Sequence, residues 1–349
     1  MGPFGATILD ADGLSLTAEE AAFFRDVRPF GFILFSRNID TPDQVRSLCD
    51  QMRRAAGHDA VITIDQEGGR VQRLRSPEWR EWLPPLDFVA LAGRHAARAM
   101  YLRHRIIADE LSALGIDSNC APMVDVAGPA THEFLRNRCY GSDPARVALL
   151  GQAAGQGLLD GGVLPVVKHI PGHGRATMDS HFDLPRVDAP HRDLSTVDFA
   201  PFKALRDMPM GMTAHLVYDA LDREPATCSP HVMGIIRDEI GFDNLIMTDD
   251  LSMKALSGTH VQSTIAALKA GCDVALYCNQ PLADRIAVAE AAGEMTQVAQ
   301  TRALRALGMR KTPDDVDIPA LESELEALLG GAGSGRTYAN RVIFAMGGV

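Results

Sequence analysis

Along the chain, short and almost wholly apolar runs alternate with longer stretches whose apolar residues recur at helical spacing, the pattern of a parallel α/β fold. The runs Gly5–Leu9, Gly31–Phe35, Ala60–Asp65, Ile116–Cys120, Leu164–His169, Gly211–His215, Leu245–Asp249 and Asp273–Tyr277 predict eight strands. Helix starts between them carry caps. Thr17 with Glu20 has the form of a capping box, and Thr41-Pro42-Asp43-Gln44 offers an N-cap, a proline at the first helical position and a glutamine at the third. Gly93–Gly115 predicts one long helix closed by glycine. Beyond the last strand, 282–307 and 318–329 predict two more.

Eight strands separated by helices fit a (β/α)8 TIM barrel, in which reactive groups collect at the C-terminal strand ends. The rival is a doubly wound sheet, but the Gly-rich GxGxxG turn expected after its first strand is missing. Polar residues gather where a barrel mouth requires them. Asp65, Lys168-His169, His215 and Asp249-Asp250 close successive runs, and Asn279 follows the last. With no linker and no short-period repeat, residues 1–330 read as one barrel domain with a C-terminal helical extension, and the Gly/Ser-rich segment 331–349 as a flexible tail.

Composition narrows the partners. The formal charge of −11 offers no concentrated positive surface for nucleic acid or an anionic membrane. The six cysteines are scattered without a CxxC pair and read as reduced thiols rather than a disulfide framework. The N-terminus lacks the basic and apolar regions of a signal peptide, and no apolar run reaches the roughly 18 residues of a membrane span. A soluble cytoplasmic monomer acting on a small molecule is expected.

Three constellations carry chemistry. The first is Val167-Lys168-His169-Ile170-Pro171-Gly172-His173-Gly174, followed by Met178-Asp179-Ser180-His181. His169 and His173 have a spacing reminiscent of zinc ligands, yet Pro171 and Gly172 between them rule out a shared helix face. Asp179-x-His181 can work as an acid/base pair, because a carboxylate beside an imidazole orients it and raises its basicity. The second is Leu245–Met253, where an apolar strand ends at Asp249-Asp250. Neighbours on a strand face opposite ways, so only one carboxylate enters the pocket; Asp249 is expected there as nucleophile, with Asp250 serving the following loop. The third is Ile64-Asp65-Gln66-Glu67-Gly68-Gly69-Arg70-Val71-Gln72-Arg73. Its double glycine permits close backbone approach, Asp65 can accept hydrogen bonds from sugar hydroxyls, and Arg73 can donate to others.

In that order, IDQEGGRVQRL, KHIPGHG, MDSHFDLP and MTDDLSMKAL resemble glycoside hydrolase family 3, specifically its bacterial β-N-acetylglucosaminidases of the peptidoglycan-recycling type. The resemblance runs from the first strand through ALKAGCDVALYCN. It implies His181 backed by Asp179 as acid/base and Asp249 as nucleophile. It also implies Asp65, Arg73, Arg138, Lys168 and His169 as sugar-binding positions. Arg138 lies in RNRCYGSDP, which departs from the family's usual R-S-F and has Arg136 as a close competitor, and Ile170 stands where the family usually has Phe. The implied reaction releases terminal β-linked N-acetylglucosamine from anhydromuropeptides with retained configuration, without metal or organic cofactor. Three alternatives stand beside it. One is a family 3 enzyme of other glycone specificity, or one using phosphate as acceptor. Another is a barrel metallohydrolase built on His169, His173 and His181, and the last a non-catalytic sugar-binding protein.

Overall fold

Each of the eight apolar runs contributes a strand, and all eight pair in parallel in a computed structural model that describes residues 2–178 and 184–330. They are β1 (Gly5–Leu9), β2 (Pro29–Leu34), β3 (Val61–Ile64), β4 (Ser118–Asn119), β5 (Leu164–Ile170), β6 (Met210–Thr213), β7 (Leu245–Met247) and β8 (Ala275–Leu276). Neighbours in sequence are neighbours in space from β1 to β7. Closure comes from β8, which pairs with β1 through Thr7–Ala275 and Ile8–Leu276, while Met247 bridges to Val274 just before it. The result is a (β/α)8 barrel. A short parallel ribbon, Arg186–Val187 with Val217–Tyr218, lies outside the barrel ladder.

Side-chain alternation divides the strands into two cores. Ile8, Ile33, Val61, Val166, Met212, Leu245, Met247 and Leu276 belong to one apolar cluster, filling the barrel interior. The residues between them, among them Leu9, Phe32, Leu34, Ile62, Val167, Ile246 and Ala275, belong to the larger cluster under the helices. Two residues beyond the last inward apolar position, the same alternation reaches Phe35, Lys168, Asp249 and Cys278, and on β3 it reaches Asp65 four residues beyond Val61; all five line the cavity at the mouth. The site is thus the top layer of the barrel filling, with polar groups in place of methyls and methylenes.

Strand limits differ from the apolar runs. Asp65, His215 and Asp249 lie beyond the last paired residues, because tilted strands splay at the mouth and their ladders stop short. β4 retains only two strand residues; beyond it Cys120 N still donates to Ile64 O at 2.8 Å. The expected helix Gly93–Gly115 begins as a single 3-10 turn, Gly93–His95, and is α-helical over Ala96–Ser112. The expected helix 282–307 is two, Leu282–Ala292 and Gln297–Leu307. Gly293 breaks it with a φ of 62°, a conformation that suits glycine, and Met295 N then donates to Phe4 O at 2.8 Å. The third helix is Ile318–Leu328. Both expected N-caps form, at Thr17 with its reciprocal Glu20 and at Thr41 with Gln44.

The seam between last and first units is also closed by charge. Arg285, fully buried in the helix Leu282–Ala292, reaches Asp10 beyond β1, Asp12, and Glu20 of the helix Ala18–Val27. Among the described residues, no helix is long and apolar enough to cross a membrane.

Candidate active site

The mouth of the barrel holds a cavity of about 400 Å³, a size suited to a small ligand. One side is built from full charges. Asp65, at the end of β3, accepts from Lys168 Nζ at 2.9 Å and from Arg73 Nη2 at 3.0 Å. Glu67 accepts both Nε (2.9 Å) and Nη2 (2.7 Å) of Arg138 and also meets Lys168 Nζ at 2.7 Å. Burial alone pushes both carboxyls up, but their partners win. Lys168 and Arg73 hold Asp65 well below the usual carboxylate range, and Arg138 and Lys168 bring Glu67 down to about 2. Conversely, burial alone would lower the Lys168 ammonium, but Asp65 and Glu67 hold it above its ordinary value. Asp65, Glu67 and Lys168 are therefore all ionised at neutral pH. Arg73 keeps a buried Nε with no hydrogen-bond partner, and so retains a donor for a guest.

Lys168 and His169 are adjacent yet both line the cavity. Strict alternation would put one of them outside; the β5–β6 register shifts between Lys168 and Ile170, an irregularity that re-aims the strand end.

The opposite side is made of imidazoles. His169 Nδ1 lies 2.7 Å from Asp125 Oδ2, and Asp125 Oδ1 accepts the backbone N–H groups of His169 (3.3 Å) and His173 (2.6 Å). That carboxylate ties the Lys168-His169 strand end to the following turn. Burial alone would raise Asp125, but His169 lowers it. The rings of His169 and His173 meet edge to face, with centroids 5.5 Å apart. His215 is fully buried between Thr227 Oγ1 (2.7 Å) and the Asp250 carbonyl (3.1 Å). Burial pulls its pKa down, although Asp249 works in the other direction.

Asp249 stands between the two sides. Burial raises its pKa, but His169, His215, the Asp250 N–H and Lys168 outweigh it, so the carboxyl is held below its ordinary value. It is an anion whose Oδ1 accepts from Asp250 N at 2.9 Å. Asp250 is occupied differently: its carboxylate accepts from Ser252 N at 2.9 Å and Ser252 Oγ at 2.8 Å, bracing the turn after β7.

Asp65, Arg73, Arg138, Lys168, His169 and Asp249 are all brought to one cavity. Arg136, the neighbour of Arg138, instead braces its own loop, with Nη2 against the carbonyls of Gly128, Pro129 and Thr131. Asp179 and His181 lie outside the described residues. Glu67 and Asp125 were not singled out for roles by the sequence. The signal for each was a lone acid in an otherwise apolar or glycine-rich run, Q-E-G-G and M-V-D-V, where burial demands a partner. Among the described residues no group of three or more His, Cys, Asp or Glu side chains could hold a metal ion.

A barrel mouth with a half-buried carboxylate anion beside a set of ionised donors and acceptors suits the cleavage of a bond to a polyhydroxylated ring, the chemistry of glycoside hydrolases. Comparison with known proteins gives the same class. Residues 10–306 match the N-terminal domain of glycosyl hydrolase family 3, and the chain belongs to that family. It is 37% identical over 286 residues to the beta-hexosaminidase of Alkalilimnicola ehrlichii, covering 79% of this chain and 81% of that one. The native NagZ structure from Neisseria gonorrhoeae superposes with a TM-score of 0.81 at 30% identity, over 95% of this chain and 98% of that one. A family 3 β-N-acetylglucosaminidase from Paenibacillus gives a TM-score of 0.81 at 29% identity. The match covers 93% of this chain but 66% of that longer protein.

Proposed function

We propose that this glycoside hydrolase, of the β-N-acetylhexosaminidase type, is a retaining exo-β-N-acetylglucosaminidase. Its substrates are peptidoglycan-derived anhydromuropeptides in the cytosol, from which it removes the terminal N-acetylglucosamine as a monomer without metal or organic cofactor. The observation that carries the reading is Asp249, an inward carboxylate kept ionised by His169, His215 and Lys168 despite burial. An anion at that point can attack the anomeric carbon. The departing oxygen takes its proton from His181, oriented by Asp179. Water deprotonated by the same imidazole then breaks the glycosyl–Asp249 ester, and two inversions give net retention. Asp65, Arg73, Arg138, Lys168 and His169 hold the sugar. A histidine acid/base, cationic as the acid and neutral as the base, avoids the repulsion that a second carboxylate would feel from Asp249.

The test is hydrolysis of a chromogenic β-N-acetylglucosaminide beside the matching β-glucoside, with and without phosphate. Preference for the first, unaffected by phosphate, supports the reading; preference for the glucoside, or release that rises with phosphate, overturns it. His181→Ala separates the roles further. General acid help of about 10²–10⁴-fold should be lost most severely for sugar leaving groups and least for acidic phenols. Equal losses across leaving groups would remove His181 from the acid role.

A further inference from the structure

His173 is a polar side chain without an assigned task. It is 2% exposed, lines the cavity with Asp249 and His169, and among the described residues neither Nδ1 nor Nε2 has a hydrogen-bond partner. A buried imidazole with both nitrogens unpaired is costly, and such groups in native sites generally await a ligand or water. Its position is not accidental. Asp125 fixes the His173 backbone at 2.6 Å, and the His169 ring packs edge-on against it.

The chemistry of the waiting partner follows from the charges around it. The far side of the cavity, with Asp65, Lys168 and Arg73, offers ionised partners that match hydroxyl groups. His173 is different, because burial and then the neighbouring His169 pull its pKa down to about 4 and leave it neutral. A neutral imidazole offers one donor and one acceptor, which matches the carbonyl and N–H of an amide. It lines the same cavity as Asp249, the nucleophile beside which the substituent next to the anomeric carbon must sit.

We infer that His173 is a substrate-contacting specificity residue that hydrogen-bonds the 2-acetamido group of the bound sugar. The inference rests on the reading of the substrate as an N-acetylhexosaminide, and adds which residue distinguishes it from a plain hexose. Losing a hydrogen bond inside a dry pocket weakens the matched ligand about ten- to a hundredfold and leaves the unmatched ligand little changed.

The experiment is ligand-observed NMR titration of the full chain with N-acetylglucosamine and with glucose, for wild type, His173→Leu and His173→Gln. Circular dichroism establishes that each is folded. His173→Leu should weaken N-acetylglucosamine about ten- to a hundredfold and glucose less than about threefold. His173→Gln keeps one donor and one acceptor, so it should recover most of the difference. Equal weakening of both sugars, unchanged binding of N-acetylglucosamine, or a Gln variant no better than Leu overturns the assignment. If His173→Leu does not fold, His173→Ala is read in its place by the same criteria: selective weakening of N-acetylglucosamine supports the assignment, and equal or absent weakening overturns it. Wild-type preference for glucose would instead overturn the substrate reading on which the inference rests.

Discussion

On one side of the cavity Asp65, Glu67, Lys168 and Arg138 are buried as two negative and two positive charges, each within hydrogen-bonding reach of an opposite one. On the other, His169 and His173 meet a single buried carboxylate, Asp125, and His215 lies behind the Asp249 anion, with burial lowering the pKa of His173 and His215. The charged side cannot easily change its ionisation, because every member holds its neighbours in place. It is therefore a fixed template for hydroxyl groups. The imidazole side is held by fewer contacts and lies closer to the range in which imidazoles titrate. Template and pH response are separated across a single cavity.

The sharpest way to break this comparison is at the residue the two sides share. Asp249→Asn should lower kcat by several orders of magnitude while leaving sugar binding and thermal stability nearly intact, since shape is kept and the nucleophilic charge is lost. Asp250→Asn should cost far less, because that carboxylate braces a turn. A reversed order in steady-state kinetics would exchange their roles.

Next comes the charged side itself. Asp65→Ala should raise KM steeply and also lower kcat, because hydroxyl contacts strengthen in the transition state. Lys168→Met should be felt in stability as well: it leaves Asp65 and Glu67 short of a shared cation, and breaking a buried pair typically costs about 3–5 kcal/mol. Denaturant unfolding reads this directly; an unchanged midpoint would mean that the network contributes nothing to the fold.

Acid should separate the two sides without mutation. His173 is lowered from its ordinary value to about 4, so between roughly pH 6.5 and 4 the unfolded chain binds a proton that the folded chain refuses. The stability tied to its neutrality is complete above that window and declines as pH falls through it. Glu67 is lowered to about 2, so its contribution is complete above the ordinary carboxylate value and is lost only as pH falls from there towards 2. Melting temperature should accordingly begin to fall in the imidazole window, with His173→Gln flattening part of that slope. A slope confined to pH below about 4 would contradict the order.

The smallest effect separates Arg138 from Arg136. Arg138→Ala removes a bidentate partner of Glu67, whereas Arg136→Ala removes donors to three loop carbonyls. KM should rise strongly for the first and stay within about threefold for the second, the range of most changes outside a site.

How far the sequence reveals this arrangement depends on the kind of residue. Eight apolar runs point to a parallel sheet because inward and outward positions are both buried, and the missing GxGxxG turn together with polar residues at successive strand ends favours the barrel over a doubly wound sheet. Strand ends were overrun because apolar character continues past the last paired residue, as at His215. Parity along β7 already separates Asp249 from Asp250, and the same counting selects Asp65 on β3. It fails at Lys168-His169, where an irregularity in β5 turns two successive side chains to one cavity. Asp125 was illegible for another reason. Its importance lies in contacts with residues more than forty positions away, and no local period marks a long-range partner.

The closed seam has a consequence for the order in which the molecule can be assembled. β1 is the first of the eight barrel strands to be made, yet its second neighbour, β8, is the last of them to leave the ribosome. Until Ala275–Leu276 arrives, Thr7 and Ile8 present an unsatisfied edge, and Asp10, Asp12 and Glu20 await Arg285. A nascent chain short of these residues is an open, curved sheet with two sticky margins and an acidic cluster met only by Arg37, at Asp10. Completion of the last unit removes both hazards at once, so the ring becomes resistant to misassociation only when synthesis of the barrel is nearly finished.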